Sequence, residues 1–287
     1  PSFEGVFGTI GAELGNRNHV ITLGTLNVPI SDTIAARANF FAEQRDGFAN
    51  QDSGTKDLEG QGVAGPDGIP DMDQRWNRSV QKEDQYGNSD RWAARVSLLW
   101  EPMDEFNWRL SFETAEDNSA GWPIAPNCEV NVELCQYNGG NIDYVDPNVP
   151  GFMELTNDAI RSHMNYALTD SIDVVYNMGW ARQQRIQQWD GDMGWRALPG
   201  PNTGWLNRNQ PWESLYLATA DSNYESFSHE LQFQGQTGQV NWIIGFFDFR
   251  EDNDIIFDVE QPFCCSQGAA GGISFIQPER TLVSQAI

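Results

Sequence analysis

No apolar run in this chain of 287 residues is long enough to cross a membrane as a helix. The longest, Trp242 to Phe247, falls far short of the roughly 20 residues that a spanning helix needs. Mean hydropathy is −0.52, which agrees with that exclusion. A transmembrane β-barrel shows no such run, because only alternate residues of each strand meet lipid. The low hydropathy therefore excludes helical membrane proteins and leaves membrane β-barrels open.

Basic residues are also scarce. The chain has 17 lysines and arginines against 41 acidic residues, for a net charge of −24. A nucleic-acid partner is therefore excluded, because phosphate backbones demand a basic surface. The acidic residues crowd polar segments, where they indicate either a solvated surface or divalent-ion binding. The stretch from Gly65 to Asp73 resembles a calcium loop but lacks the distal bidentate Glu of an EF-hand.

Catalytic motifs are missing as well: the sequence has no phosphate loop, no nucleophile elbow and no His-Glu zinc motif. Gly60 to Gly65 matches the dinucleotide pattern G-x-G-x-x-G. It lies in a polar stretch with no strand before it and no helix after it, so the match is accidental. The three histidines, His19, His163 and His229, are dispersed along the chain. We therefore expect no enzyme, no catalytic residues, no metal site and no cofactor.

Cysteines are few, and none lies in a predicted strand. Cys128 and Cys135 are spaced to close a small disulfide loop in an oxidising compartment. The adjacent Cys264 and Cys265 allow a strained vicinal disulfide, two free thiols or pairing with other loops, and the sequence leaves these alternatives open.

The first testable expectation concerns this cysteine pair. If the segment faces an oxidising exterior, a disulfide between Cys128 and Cys135 should stabilise the fold by roughly 2–3 kcal/mol, by restricting the unfolded chain. A thiol-alkylating reagent should then label neither residue of the native, unreduced protein. Labelling of both would contradict the disulfide.

Strict two-residue alternation is what the sequence does contain, most clearly from Asp90 to Asp117. In its first half, Trp92, Val96 and Trp100 share one face with other apolar residues. In its second half, Trp108 and Leu110 do the same, while charged residues occupy the opposite face. A period of two predicts strands, so this stretch is a β-hairpin with one apolar and one charged side. Strands of about 10–12 residues flanked by aromatic residues are typical of membrane barrels.

Alternating runs recur along the chain, joined in turn by short turns and long polar segments. The runs cover 1–15, 19–30, 33–45, 159–168, 172–188, 225–234 and 240–249, before a last truncated strand, and the long segments cover 46–89, 118–158, 190–224 and 250–278. Bacterial outer-membrane barrels place short turns at one rim and long loops at the other. Loops of this length are unusual in compact soluble domains. The sequence therefore predicts an all-β fold: residues 1–287 form one partial antiparallel up-and-down transmembrane barrel of about ten strands.

The barrel prediction assigns the turns and long segments to two opposite rims, and it assigns the strand residues to lipid or to the lumen. One rim should hold Arg17 and the segments around 51–80, Cys128, Gly200 and Cys264; the other should hold Ser31, Asp104, Asp170 and Gly238. The lipid-facing residues should include Ile34, Phe40, Val96, Leu98, Leu110, Val174 and Ile244. The lumen-facing residues should include Arg37, Arg95, Arg109 and Glu113.

Several of these runs resemble the barrel strands of TonB-dependent outer-membrane receptors. The stretch from Asn27 to Arg37 is similar to the junction of the second and third strands in that family, and Phe41 to Phe48 continues it. Arg95 to Pro102 resembles the next periplasmic turn. His229 to Phe233 and Val240 to Phe247 resemble a later hairpin. The resemblance covers most strand segments and none of the long polar ones.

The resemblance implies a Gram-negative outer-membrane receptor that takes up a scarce ligand, such as a ferric siderophore or another large nutrient. Family members have a roughly 22-stranded barrel closed by a plug and draw energy from the TonB–ExbB–ExbD system. Neither a plug nor a TonB box is recognisable in residues 1–287, so we expect the first part of the barrel alone. The candidate ligand contacts are aromatic residues of the long segments: Trp122, Trp195, Trp205 and Trp212. A passive porin-like channel and a soluble secreted carbohydrate-binding β-protein remain the alternatives.

Overall fold

A computed structural model describes residues 1–48, 85–121, 151–190, 217–261 and 271–286. These residues form one antiparallel sheet of ten strands, in which each strand pairs with the next and β1 and β10 lie at the two edges. The strands are β1 (Phe7–Gly15), β2 (His19–Pro29), β3 (Ile34–Arg45), β4 (Ser89–Met103), β5 (Phe106–Asp117), β6 (Phe152–Thr169), β7 (Ile172–Asp190), β8 (Leu217–Thr237), β9 (Val240–Gln261) and β10 (Gly271–Ala286). The predicted up-and-down sheet of about ten strands is confirmed.

No helix in the described part of the chain is long and apolar enough to cross a membrane.

The register divides the side chains between two faces of the sheet. Leu98 pairs with Leu110 on one side and with Ala36 on the other, so all three project to the same side. The apolar face, as we call it, carries Ile34, Phe40, Val96, Leu98, Leu110, Val174 and Ile244. The opposite, polar face carries Arg37, Arg95, Arg109 and Glu113.

The short turns lie together at one rim of the sheet, that is, at one end of the strands. Residues 30–33, 104–105, 170–171 and 238–239 join successive strands there. Main-chain hydrogen bonds connect neighbouring turns at this end of the strands: Glu101 N donates to Thr33 O, and Ala167 N donates to Glu105 O. At the opposite end of the strands, Asp46 N donates to Arg17 O. The sequence-based grouping of Arg17 against the four short turns therefore agrees with the structure, while 51–80, Cys128, Gly200 and Cys264 lie outside the described residues.

The strands beside the long segments extend further than the alternation predicts. Strand β6 begins at Phe152 rather than at Ala159, and β8 begins at Leu217 rather than at Glu225. Strand β9 continues to Gln261, so most of the predicted fourth long segment, 250–278, is strand. The prediction was wrong here because the side of these extensions that continues the apolar face carries charged and polar residues, such as Asp221, Asp252 and Asp254, so the one-sided apolar pattern of the band ends before them. Main-chain hydrogen bonds of the ladder continue regardless of side-chain polarity.

Aromatic residues bound a band on the apolar face. Near the short turns, Trp100 packs edge-on against Phe106 and Trp108, with ring centroids 5.4 and 6.0 Å apart. Further along the same strands, the indole N–H groups of Trp92 and Trp180 donate to carboxylates, at 3.1 Å to Glu116 and 2.9 Å to Glu225. Trp92 and Trp100 are eight positions apart on β4, which is roughly 27 Å along a strand. Tilted by about 40°, that length gives a band of about 20 Å, close to the ~25 Å of an outer-membrane barrel.

Candidate functional site

The polar face bounds a concave cavity of about 910 Å³, and the sequence-predicted charged residues line it. Arg37, Arg95, Arg109 and Glu113 come together there from β3, β4 and β5, and Arg161 joins them from β6. The alternation brings them together because all five occupy the same side of their strands. Sequence reasoning did not assign Arg161, although it shares the period of its neighbours on β6.

This arginine cluster, the four arginines around Glu113, is locally basic in an acidic chain. Arg95 Nε lies 3.0 Å from Glu113 Oε1, and Arg161 pairs with the same carboxylate oxygen. Arg37 lies over the Phe7 ring, 5.6 Å from its centroid. Within the described residues, the buried Arg37 Nε has no hydrogen-bond partner and neither Arg37 nor Arg109 forms an ion pair. One carboxylate therefore neutralises part of a four-guanidinium wall, which is suited to an anion.

A second cavity, of about 520 Å³, opens beside the first across β4 to β9. A chain of polar side chains runs along its wall. His163 Nδ1 lies 2.7 Å from Asn177 Oδ1, and Asn177 Nδ2 donates to Glu230 at 3.4 Å. Gln232 donates to the other oxygen of Glu230 at 2.5 Å. These hydrogen bonds link the polar side chains of β6, β7 and β8 along the wall.

Near the end of the strands from which the long segments leave, Glu43 links three strands on the polar face. Its side chain is buried and accepts hydrogen bonds from Arg91 Nε at 2.8 Å and Nη2 at 2.5 Å. His19 Nε2 lies 3.0 Å from its other oxygen. The three residues belong to β2, β3 and β4, so their bonds stabilise the sheet across those strands.

The N-terminal segment lies on the same face and is held by Asn27. That side chain is fully buried. It accepts a hydrogen bond from Ser2 N at 2.8 Å and donates to Ser2 O at 2.9 Å and Gly5 O at 3.0 Å. Residues 1–6 therefore line the concave side before the chain enters β1.

Beyond the band, β7 to β10 carry three aromatic rings in a row on the polar face. Trp189 and Phe257 have ring centroids 5.7 Å apart, and Phe257 and Phe275 have centroids 6.1 Å apart. The first two rings meet across β8, where the small, buried Ala220 pairs in register with Phe257. The Phe275 side chain is 60% exposed. We call Trp189, Phe257 and Phe275 the aromatic row.

Sequence reasoning missed the aromatic row. Phe257 and Phe275 fall in the stretch that was taken for a long polar segment, and Trp189 lies just past the end of a predicted strand. The available signal was parity, since Phe249 and Phe257 lie eight positions apart in one continuous strand. Parity assigns both residues to one face only when the strand is known to continue from one to the other.

Charge is divided between the two faces where the strands extend beyond the band. On the polar face, Arg185 lies on β7 and Arg280 lies on β10 opposite Asn253. The side of the same strands that continues the apolar face carries mainly carboxylates: Asp221, Glu225, Asp252, Asp254 and Asp258, with Arg182 and Arg250. Among the described residues of these extensions, carboxylates therefore outnumber guanidinium groups on the outer side. Arg185 and Arg280 lie on the side of the aromatic row, together with Glu251 and Glu279.

The ligand contacts and the disulfide expected from the sequence lie outside the described residues. This applies to Trp122, Trp195, Trp205 and Trp212, to Cys128 and Cys135, and to Cys264 and Cys265. The calcium-like stretch from Gly65 to Asp73 lies outside them too.

No protein-family model matches this sequence, and no curated protein matches it significantly.

Solved structures do share the fold. The siderophore receptor PiuA from Acinetobacter baumannii matches 98% of this chain and 38% of its own, at 13% identity and a TM-score of 0.57. The ferric yersiniabactin uptake receptor FyuA from Yersinia pestis matches 97% of this chain and 43% of its own, at 10% identity and a TM-score of 0.54. The open form of the ferric-catecholate import receptor Fiu from E. coli K12 matches 99% and 51%, at 11% identity and a TM-score of 0.54.

These structures are TonB-dependent outer-membrane receptors with a β-barrel, and nearly all of this chain shares the fold of part of them. It spans between 38% and 51% of the length of those three chains. The resemblance read from the sequence is thereby confirmed at the level of the fold.

Proposed function

We propose that residues 1–287 form part of the barrel of a TonB-dependent outer-membrane receptor, a protein that imports a scarce ligand such as a ferric siderophore. The observation that carries this proposal is one sheet with two different faces. Its apolar face is bounded by tryptophan side chains at two levels about 20 Å apart, Trp92 at one and Trp100 with Trp108 at the other. Its polar face is concave and holds the arginine cluster.

In this proposal the apolar face meets outer-membrane lipid. Val96 is 53% exposed and Ile244 is 64% exposed, which is costly in water and favourable in hydrocarbon. The indole groups of Trp92, Trp100 and Trp180 then lie at the membrane–water interfaces, where aromatic girdles are found in such barrels. The short turns lie on the periplasmic side, and the extensions of β6 to β9 project outside the cell.

Energy for import comes, in this proposal, from the TonB–ExbB–ExbD system acting on a part of the protein other than these strands. The barrel wall contributes the path and part of the ligand site. Trp122, Trp195, Trp205 and Trp212 remain proposed ligand contacts of the outer segments, and the pairing of Cys128 with Cys135 remains proposed. No catalytic step is assigned to this chain.

The proposal is tested by iron uptake into Gram-negative cells that express the complete protein. Radiolabelled ferric chelates should accumulate in these cells, and a protonophore or loss of TonB should abolish the accumulation. Fractionation should recover the protein in the outer membrane. Uptake that is unchanged by the protonophore would favour the passive porin-like channel. Recovery of the protein in the medium, with affinity for polysaccharide, would favour the secreted carbohydrate-binding protein.

A further inference from the structure

Beyond the band, the polar face of β7 to β10 carries a group of aromatic rings. It presents the flat rings of Trp189, Phe257 and Phe275, with centroid separations of 5.7 and 6.1 Å. The two contacts are tilted by 35° and 37°, so the rings lie nearer to parallel than to edge-on. Flat ligand rings stack favourably on such surfaces.

Basic groups flank this row on the same face. Arg185 pairs in register with Ser222, and Ser222 pairs with Ile255, two positions before Phe257. Within the described residues, the buried Arg185 Nε has no hydrogen-bond partner. Arg280 lies on β10 opposite Asn253. Adjacent rows on one face of a strand are separated by about 7 Å. Arg185 lies one row below Phe257 and Arg280 lies two rows below it, so a ligand of several rings can meet the aromatic row and also the long side chains of these arginines.

The acidic residues at this height are mostly on the other face of the same strands. Asp221, Asp254 and Asp258 project outward, away from the aromatic row. On the inner face of β7 to β10, Glu251 lies three rows below Phe257, and Glu279 lies in the β10 bulge beside Arg280. Among the described residues, an anion that approaches along the concave side meets Arg185 in a row that holds no carboxylate on β6 to β10, and it meets Arg280 beside Glu279. Deeper in the concave side it meets the arginine cluster around Glu113.

We propose that the aromatic row, with Arg185 and Arg280, binds an anionic ligand that carries flat aromatic rings. This inference rests on the proposed function and narrows its ligand class. The rings of the ligand stack on Trp189, Phe257 or Phe275. Its negative charge is met by Arg185 and Arg280, through charge-assisted hydrogen bonds. The arginine cluster then offers the same charge complementarity further along the path.

The test is equilibrium dialysis of the complete protein in detergent against three radiolabelled iron(III) complexes. A tris-catechol complex is anionic and aromatic, a citrate complex is anionic and aliphatic, and the desferrioxamine B complex is cationic and aliphatic. We expect the tris-catechol complex to bind at least about 10-fold more tightly than citrate, because only it can stack. Citrate in turn should bind more tightly than desferrioxamine B, because it is anionic.

Variants separate the two contributions. Phe257→Leu keeps apolar bulk but loses the ring, so it should weaken tris-catechol binding about 3–10-fold and leave citrate unchanged. Arg185→Gln should weaken both anionic complexes about 5–10-fold and leave desferrioxamine B unchanged. The matched controls are Ile256→Ala and Ile186→Ala, which neighbour these positions on the opposite face. Both controls should bind all three complexes like the unaltered protein.

Different results overturn different statements. Equal affinity for all three complexes, or an unchanged Phe257→Leu variant, would overturn the aromatic anion site while energised iron uptake still stood. Tris-catechol binding that depends on Phe257, in a protein that accumulates no iron in cells, would support the site and overturn the uptake of iron. Failure of every complex, and of the iron-free tris-catechol ligand, to bind would overturn the site. Phe275→Leu provides a second ring variant should Phe257→Leu fail to assemble.

Discussion

Arginine in place of Phe246 is expected to destabilise the assembled protein by about 2–4 kcal/mol, whereas arginine in place of Phe247 is expected to be tolerated. The two phenylalanines are adjacent on β9, and Phe246 follows Ile244 on the same face, before Asp248. Phe246 pairs with Leu231 and belongs to the apolar face. Phe247 lines the second cavity and lies in register opposite Glu230. A guanidinium at 246 would enter hydrocarbon, while one at 247 would enter water beside a carboxylate.

The measurement is a urea titration of the complete protein folded into phospholipid vesicles, supported by its yield in outer membranes. Phe246→Leu and Phe247→Leu control for the loss of the ring itself. Equal destabilisation by the two arginines would mean that the apolar face does not meet lipid.

Alanine in place of Asn27 is expected to release the N-terminal segment from the concave face, at a cost of about 2–4 kcal/mol for that segment. The substitution removes three hydrogen bonds of 2.8–3.0 Å and leaves Ser2 N, Ser2 O and Gly5 O without their partner. The cost is large because Asn27 is fully buried, so these groups gain little water in exchange.

Hydrogen exchange of residues 2–6 reports this release, and the loss of 2 kcal/mol corresponds to exchange faster by roughly 30-fold. Asn39→Ala is the matched control. Asn39 borders the same concave face but accepts one hydrogen bond, from Thr25 at 3.1 Å. It should leave exchange at residues 2–6 unchanged. Unaltered exchange in Asn27→Ala would show that other contacts hold the segment.

The band of the sheet was accessible from the sequence because its signal is local. Successive side chains of a strand point to opposite faces, so Val96 and Arg95 are separated by covalent geometry alone. The turns at 104–105 and 170–171 were accessible for the same reason, since each lies between two alternating runs. From these features followed the two faces, the strand order and the likeness to outer-membrane receptors.

The extensions beyond the band were decided by tertiary structure. Residues 250–261 read as a polar segment because charged residues such as Arg250, Asp252 and Asp254 occupy the side that continues the apolar face. The apolar alternation of Ile255, Phe257 and Val259 is short and lies on the opposite side. Their strand conformation comes from pairing with β8 and β10, whose ladders satisfy the main-chain groups whatever the side chains are.

The sequence by itself determined which side of each strand within the band is apolar, because alternation is a property of neighbouring residues. Only the tertiary structure decided which residues of distant strands meet. Trp189 meets Phe257 across β8, and Arg161 shares Glu113 with Arg95. Those meetings depend on the register of paired strands, and a shift of one residue would turn each side chain to the other face. Hydrogen bonds between strands far apart in the chain fix that register, and no local pattern encodes it.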